Sequence, residues 1–97
     1  MRLVFNDGAL ADIANIHRWI DEDSPAAADR TINRLMASIE TLLVFSGLGH
    51  VGLAPGTREW VVPRTPYVVV YEVKHISDEL LILAVYHHAQ DRPMKSD

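Results

Sequence analysis

Residues 7–44 read DGALADIANIHRWIDEDSPAAADRTINRLMASIETLLV, and the division of this stretch decides the fold. Ala9, Ile13, Ile16 and Ile20 recur at steps of three and four, which is one face of an amphipathic helix reaching Asp21. Asp12, Asn15, Arg18 and Glu22 fall on the other side. Asn6 or Asp7 caps its start by accepting a backbone N–H bond. Asp23-Ser24-Pro25 then interrupts the pattern. Ser24 is a good cap, and Pro25 suits a first helical position, where its missing N–H costs nothing. A second helix runs from there to Val44, with Ala28, Ile32, Leu35, Ile39 and Leu42 on its buried face and Met36 and Leu43 flanking. So short a break folds the two helices back as an antiparallel hairpin.

Outward from the hairpin the periodicity changes. Leu3-Val4-Phe5 before it is a short apolar run, a first strand. After it, Ser46 to Gly56 holds Gly47, Gly49, Gly52, Pro55 and Gly56 and reads as a loop, because glycine so dense destabilises a regular element. Three strands are expected next. Thr57 to Val62 is mixed, Tyr67 to Val73 is rich in β-branched and aromatic residues, and Leu80 to His87 is apolar enough for a central buried strand. Pro63 and Pro66 bound one turn and Ser77-Asp78 marks another. The polar stretch 91–97 is expected to be a loose tail. Segregated helices and strands imply an α+β fold. The expected architecture is an N-terminal strand and a helical hairpin packed on one face of a mainly antiparallel four-stranded sheet, all in one domain spanning 1–97.

Composition narrows the function. A length of 97 residues suits one domain with a modest core. There is no cysteine, which removes disulfides and thiolate metal sites and makes a reducing cytoplasm the expected location. No stretch approaches the roughly 18 apolar residues of a membrane span, and Met1-Arg2-Leu3-Val4-Phe5 turns polar too soon for a signal peptide. Nine Lys and Arg face 13 Asp and Glu, a net charge of −4. Because phosphate neutralisation drives nucleic-acid affinity, this balance favours a protein partner over direct nucleic-acid binding.

Few residues suggest chemistry. His87-His88 is the most prominent pair, but strand neighbours point to opposite faces, so one metal between them is not expected; one of the two can still serve binding or acid–base work. By the same rule Arg58 and Glu59 should serve different surfaces, with Arg58 able to hold a carboxylate or phosphate bidentately. The bland alternative is a pair of exposed charges on a sheet edge. Gly47 to Gly52 superficially resembles a phosphate loop, yet it lacks the Lys-Ser/Thr pair and leads to a strand, whereas phosphate motifs open a helix. Tyr67, Val69, Tyr71 and Val73 share one strand face, the pattern of a core. Trp19 and Trp60 are candidate partner contacts or partly buried packing residues. No cofactor is expected. The residues alone stop at a small cytosolic α+β domain without a convincing catalytic group.

A pattern of short motifs goes further. Ala9-Leu10-Ala11-Asp12-Ile13-Ala14, Ser24-Pro25-Ala26-Ala27-Ala28, Phe45 to Gly52, Pro55-Gly56-Thr57-Arg58-Glu59, Pro66 to Tyr71 and Leu81 to Gln90 appear in this order, closed by Asp91-Arg92-Pro93. In order and spacing the chain resembles the ParE/RelE superfamily of toxin–antitoxin toxins, closer to ParE. The resemblance implies a toxin sealed by an antitoxin encoded beside it, here a ParD-like partner seated in an apolar groove beside the helical hairpin. ParE-like members poison DNA gyrase and RelE-like members cleave mRNA on the ribosome. RelE-like nucleases carry an Arg where this chain has Val68. His50, Ser46 and Arg92 also depart from the family pattern, standing where an Arg, a Pro and a Trp are usual. The resemblance marks Arg58, His87, His88, Gln90 and Arg92 as candidate target-binding residues. The alternatives are a ribosome-dependent endoribonuclease, with His87 or His88 as acid or base and Arg58 steadying phosphate, and a non-toxic antitoxin-binding relative.

Overall fold

The computed structural model describes residues 1–89; Gln90, Arg92 and the expected tail 91–97 lie outside the described residues. The elements are β1 (Arg2–Phe5), α1 (Asp7–Asp21), α2 (Pro25–Val44), β2 (His50–Val51), β3 (Arg58–Val61), β4 (Tyr67–Lys74) and β5 (Glu79–His87). Each helix begins at the expected cap. The Asn6 side chain accepts the Ala9 N–H at 2.8 Å, and Ser24 Oγ accepts the Ala27 N–H at 3.2 Å. Between the helices, the Asp23 and Ser24 N–H groups both turn back onto the Ile20 carbonyl, so the chain reverses within a single tight link. No helix among the described residues is long and apolar enough to cross a membrane.

The α+β fold is the expected one, with one more strand in the sheet. Its order is β1-β5-β4-β3-β2. β1 runs parallel to β5 and the other pairs are antiparallel. The added strand is the two-residue β2, where His50 and Val51 pair with Glu59 and Arg58 inside the stretch read as loop. Glycine is dense there because backbone and side chains approach closely. A Cβ on Gly49 would stand 2.7 Å from the Tyr71 hydroxyl, and one on Gly52 2.4 Å from Thr57 Oγ1. Only Gly56, with φ +79°, supplies the positive φ that a turn needs.

The core lies between the hairpin and the sheet. Leu35, Ile39 and Leu42 of α2 and Ala9 of α1 pack with Val69, Tyr71, Leu80, Ile82 and Val85, all fully or almost fully buried. Each such aliphatic side chain contributes about 1.5–3 kcal/mol of burial. A bulge re-aims the last residues of β5. Tyr71 pairs with Ile82 but Val70 with Ala84, so Leu83 is an extra residue in β5. Strict alternation from Leu80 and Ile82 would have put Ala84 on the helix side. The extra residue instead turns Val85 and then His87 there, while Ala84 and Tyr86 join Val68 and Val70 on the far side.

At the opposite end of β5, Arg2 hydrogen-bonds Glu79. That bond, with a second from Ser77, holds the Glu79 carboxyl below the usual carboxylate range.

Candidate functional site

β1 stops at Phe5, opposite Ile82, so the last residues of β5 have no strand on that side. Helix α1 takes the vacant position. Asp12 Oδ2 accepts the Val85 N–H at 2.9 Å, which explains why Asp12 is half-buried and not simply on the solvent face of α1. Spread over two helical turns on one face, Asp12, Asn15, Ile16 and Trp19 then line a groove whose other wall is Tyr67, Val85 and His87, enclosing about 480 Å³. A second hollow of about 190 Å³ shares Trp19, Tyr67 and His87 and adds Ile20, Thr31, Arg34, Arg64, Thr65 and Pro66. The two adjoin along their shared wall of Trp19, Tyr67 and His87, and together make up the trough. Trp19 overhangs it with 70% of its surface exposed, whereas Trp60 is half-buried against the core. Burial pushes the Tyr67 phenol above its ordinary value.

His87 enters the trough edge-on to Tyr67, ring centroids 5.6 Å apart. His88 does not turn to the opposite face as strand geometry would require. Its ring lies 5.0 Å from that of His87, tilted by 34°. The strand ends at His87, so the pleat no longer governs the next residue; the His88 N–H bonds the Pro66 carbonyl at 2.8 Å, and the Ala89 N–H turns back to His87 Nδ1 at 3.0 Å. Among the described residues no three His, Asp or Glu side chains gather as metal ligands would.

Arg58 is half-buried and works within the chain. Its Nη1 donates to the Gly49 carbonyl at 2.6 Å. The same glycine gives its N–H to the Tyr71 hydroxyl at 2.9 Å, and that hydroxyl donates to the Ser46 carbonyl at 2.6 Å. Loop 46–49 is thus bolted to the sheet from two strands. Glu59 does face away from Arg58, as alternation requires, but it is not an edge charge. It is 1% exposed, with Oε1 accepting from the Tyr86 hydroxyl at 2.9 Å and Oε2 from the Leu53 N–H at 3.1 Å. β2 covers the strand that the sequence left as an edge, and the turn after it folds over the carboxylate. On this far side of the sheet Val68, Val70, Ala84 and Tyr86 form a second buried cluster.

The candidate residues therefore separate. His87 and His88 come together at the mouth of the trough, Arg58 sits at the loop anchor, and Gln90 and Arg92 lie outside the described residues. Arg34 and Arg64, which also define the trough, carry no sequence signal that sets them apart from ordinary surface charges, and Asp12 is marked only by lying within the first motif, Ala9 to Ala14.

Comparison with known proteins gives concordant results. A family model described as ParE toxin of type II toxin-antitoxin system, parDE, matches residues 3–92. Putative toxin Y4kP of Sinorhizobium fredii is 33% identical over 85 residues, 88% of this chain and 85% of that protein. Toxin RelE2 of Caulobacter vibrioides is 32% identical over 88 residues, 91% of this chain and 94% of its own length. Among solved structures, the chromosomal ParDE toxin–antitoxin system of P. aeruginosa superposes with a TM-score of 0.78 at 23% identity, covering 90% of this chain and 95% of the other. The intact E. coli RelBE complex gives 0.68 at 15% identity, with 94% and 98% covered. At such identities the structural matches speak for the fold, and they agree with a helical hairpin laid on a sheet.

Proposed function

The chain belongs to the ParE toxin family of type II toxin–antitoxin systems, and on that premise we propose that it inhibits DNA gyrase by binding it and is neutralised by a ParD-like antitoxin. The observation that carries this reading is the far side of the sheet. A ribosomal nuclease needs cations there to orient phosphate and stabilise developing charge. Here the middle of that side holds Val68, Val70, Ala84 and Tyr86; the buried carboxylic acid Glu59 lies there, and no buried cation does among the described residues. A net charge of −4 points the same way. The target-facing group is His87, His88, Gln90 and Arg92, at and beyond the end of β5. Arg58 acts at one remove, by holding loop 46–49. The antitoxin occupies the trough beside α1.

A gyrase supercoiling assay tests the proposal. Stoichiometric purified toxin is expected to abolish supercoiling, and adding the antitoxin first is expected to protect it. Full supercoiling in the presence of excess toxin contradicts the reading. The resemblance to a relative named RelE2 favours a second reading, ribosome-dependent mRNA cleavage. Cut mRNA in a translation extract would support that reading, and intact mRNA would remove it.

A further inference from the structure

The trough is electrically polar along its length. At one end stands the Asp12 carboxylate, fixed by the Val85 N–H. At the other stand Arg34 of α2 and Arg64 of the β3–β4 turn. Between them lie Ile16, Val85 and the ring of Tyr67, with Trp19 overhanging. Asp12 and Trp19 are seven residues apart on one helix, about 10 Å along its axis. An acid, an apolar floor and a pair of cations thus succeed one another over a span of two to three helical turns.

We infer that this trough reads the direction and charge order of the antitoxin segment it holds: an amphipathic segment with a basic residue set against Asp12, an apolar anchor under Trp19, and an acidic residue against Arg34 and Arg64. The inference rests on the antitoxin reading and specifies the partner's chemistry. Charge complementarity selects the orientation, because the reversed segment puts like charges together at both ends. Trp19 supplies the anchor. An exposed indole over an apolar floor gains most when a partner seals it, which is how binding hot spots arise. The charged ends set specificity, so antitoxins of other pairs that lack this order are excluded.

Calorimetric titration of the full-length toxin with the antitoxin encoded by the adjoining reading frame tests this. Trp19→Ala is expected to weaken binding roughly 30-fold or more. Asp12→Lys and the double change Arg34→Glu with Arg64→Asn should each weaken it about tenfold or more. Asp12→Asn keeps an acceptor for the Val85 N–H, so it separates lost charge from lost folding and is also expected to weaken binding. Asn at position 64 tolerates the positive φ there, 63°. Reversing the charge of the antitoxin residue that cross-links nearest position 12 should restore affinity to Asp12→Lys. If the antitoxin binds the wild type and all these variants equally, the inference is overturned while the toxin–antitoxin reading stands. If it does not bind the wild type, both fall.

Discussion

Tyr71 shows what a single residue does in this fold. Its ring belongs to the core, as the Tyr67-Val69-Tyr71-Val73 alternation indicates, and its hydroxyl leaves the core to hold Ser46 and Gly49. Tyr71→Phe keeps the packing and removes both bonds. The Gly49 N–H is buried and would lose its acceptor, so a loss of about 1–3 kcal/mol is expected, read from the urea unfolding midpoint. An unchanged midpoint would show that the bolt contributes nothing. The ring's burial was legible from period two. The hydroxyl's task was not, because its partners lie 22 and 25 residues away in a loop of no regular pattern. Glu59 was obscured in the same way. A carboxylate beside an arginine reads as surface charge until the Tyr86 hydroxyl and the Leu53 N–H are brought to it by the fold. Asp12 has the matching difficulty, since its role depends on where β1 ends.

Among the elements, the helices were the most legible, because both their faces and their caps are local. Asn6, Ser24 and Pro25 act where simple capping rules place them. Ser24→Ala should cost about 1 kcal/mol. Gly49→Ala should cost more, because its Cβ would meet both the Tyr71 hydroxyl and the Glu59 carbonyl, at 2.7 and 3.0 Å. Thermal melts of the two variants give the comparison, and a smaller loss in Gly49→Ala would refute the close-approach explanation of this glycine. β2 escaped notice because a two-residue strand between glycines carries neither period nor propensity. The bulge at Leu83 escaped because an apolar run conceals its own alternation. Yet that bulge turns Val85 and His87 toward α1 and so builds one wall of the trough.

At the scale of the whole molecule, the hairpin creates the trough by lying across the unpaired end of β5, and the turn after β2 folds over Glu59 on the other side of the sheet. The family resemblance made this much legible through motif order. It also marked His87 and His88, which the structure brings side by side, but it could not foresee the charge order of the trough, whose Asp12, Arg34 and Arg64 come from α1, α2 and the β3–β4 turn. The central claim, that the toxin acts on a protein of DNA metabolism and not on mRNA, is tested most directly by the order in which synthesis fails in cells after induction. Labelled thymidine incorporation should collapse first, with methionine incorporation and mRNA length preserved through that interval. Collapse of methionine incorporation first, together with shortened mRNA, would contradict it.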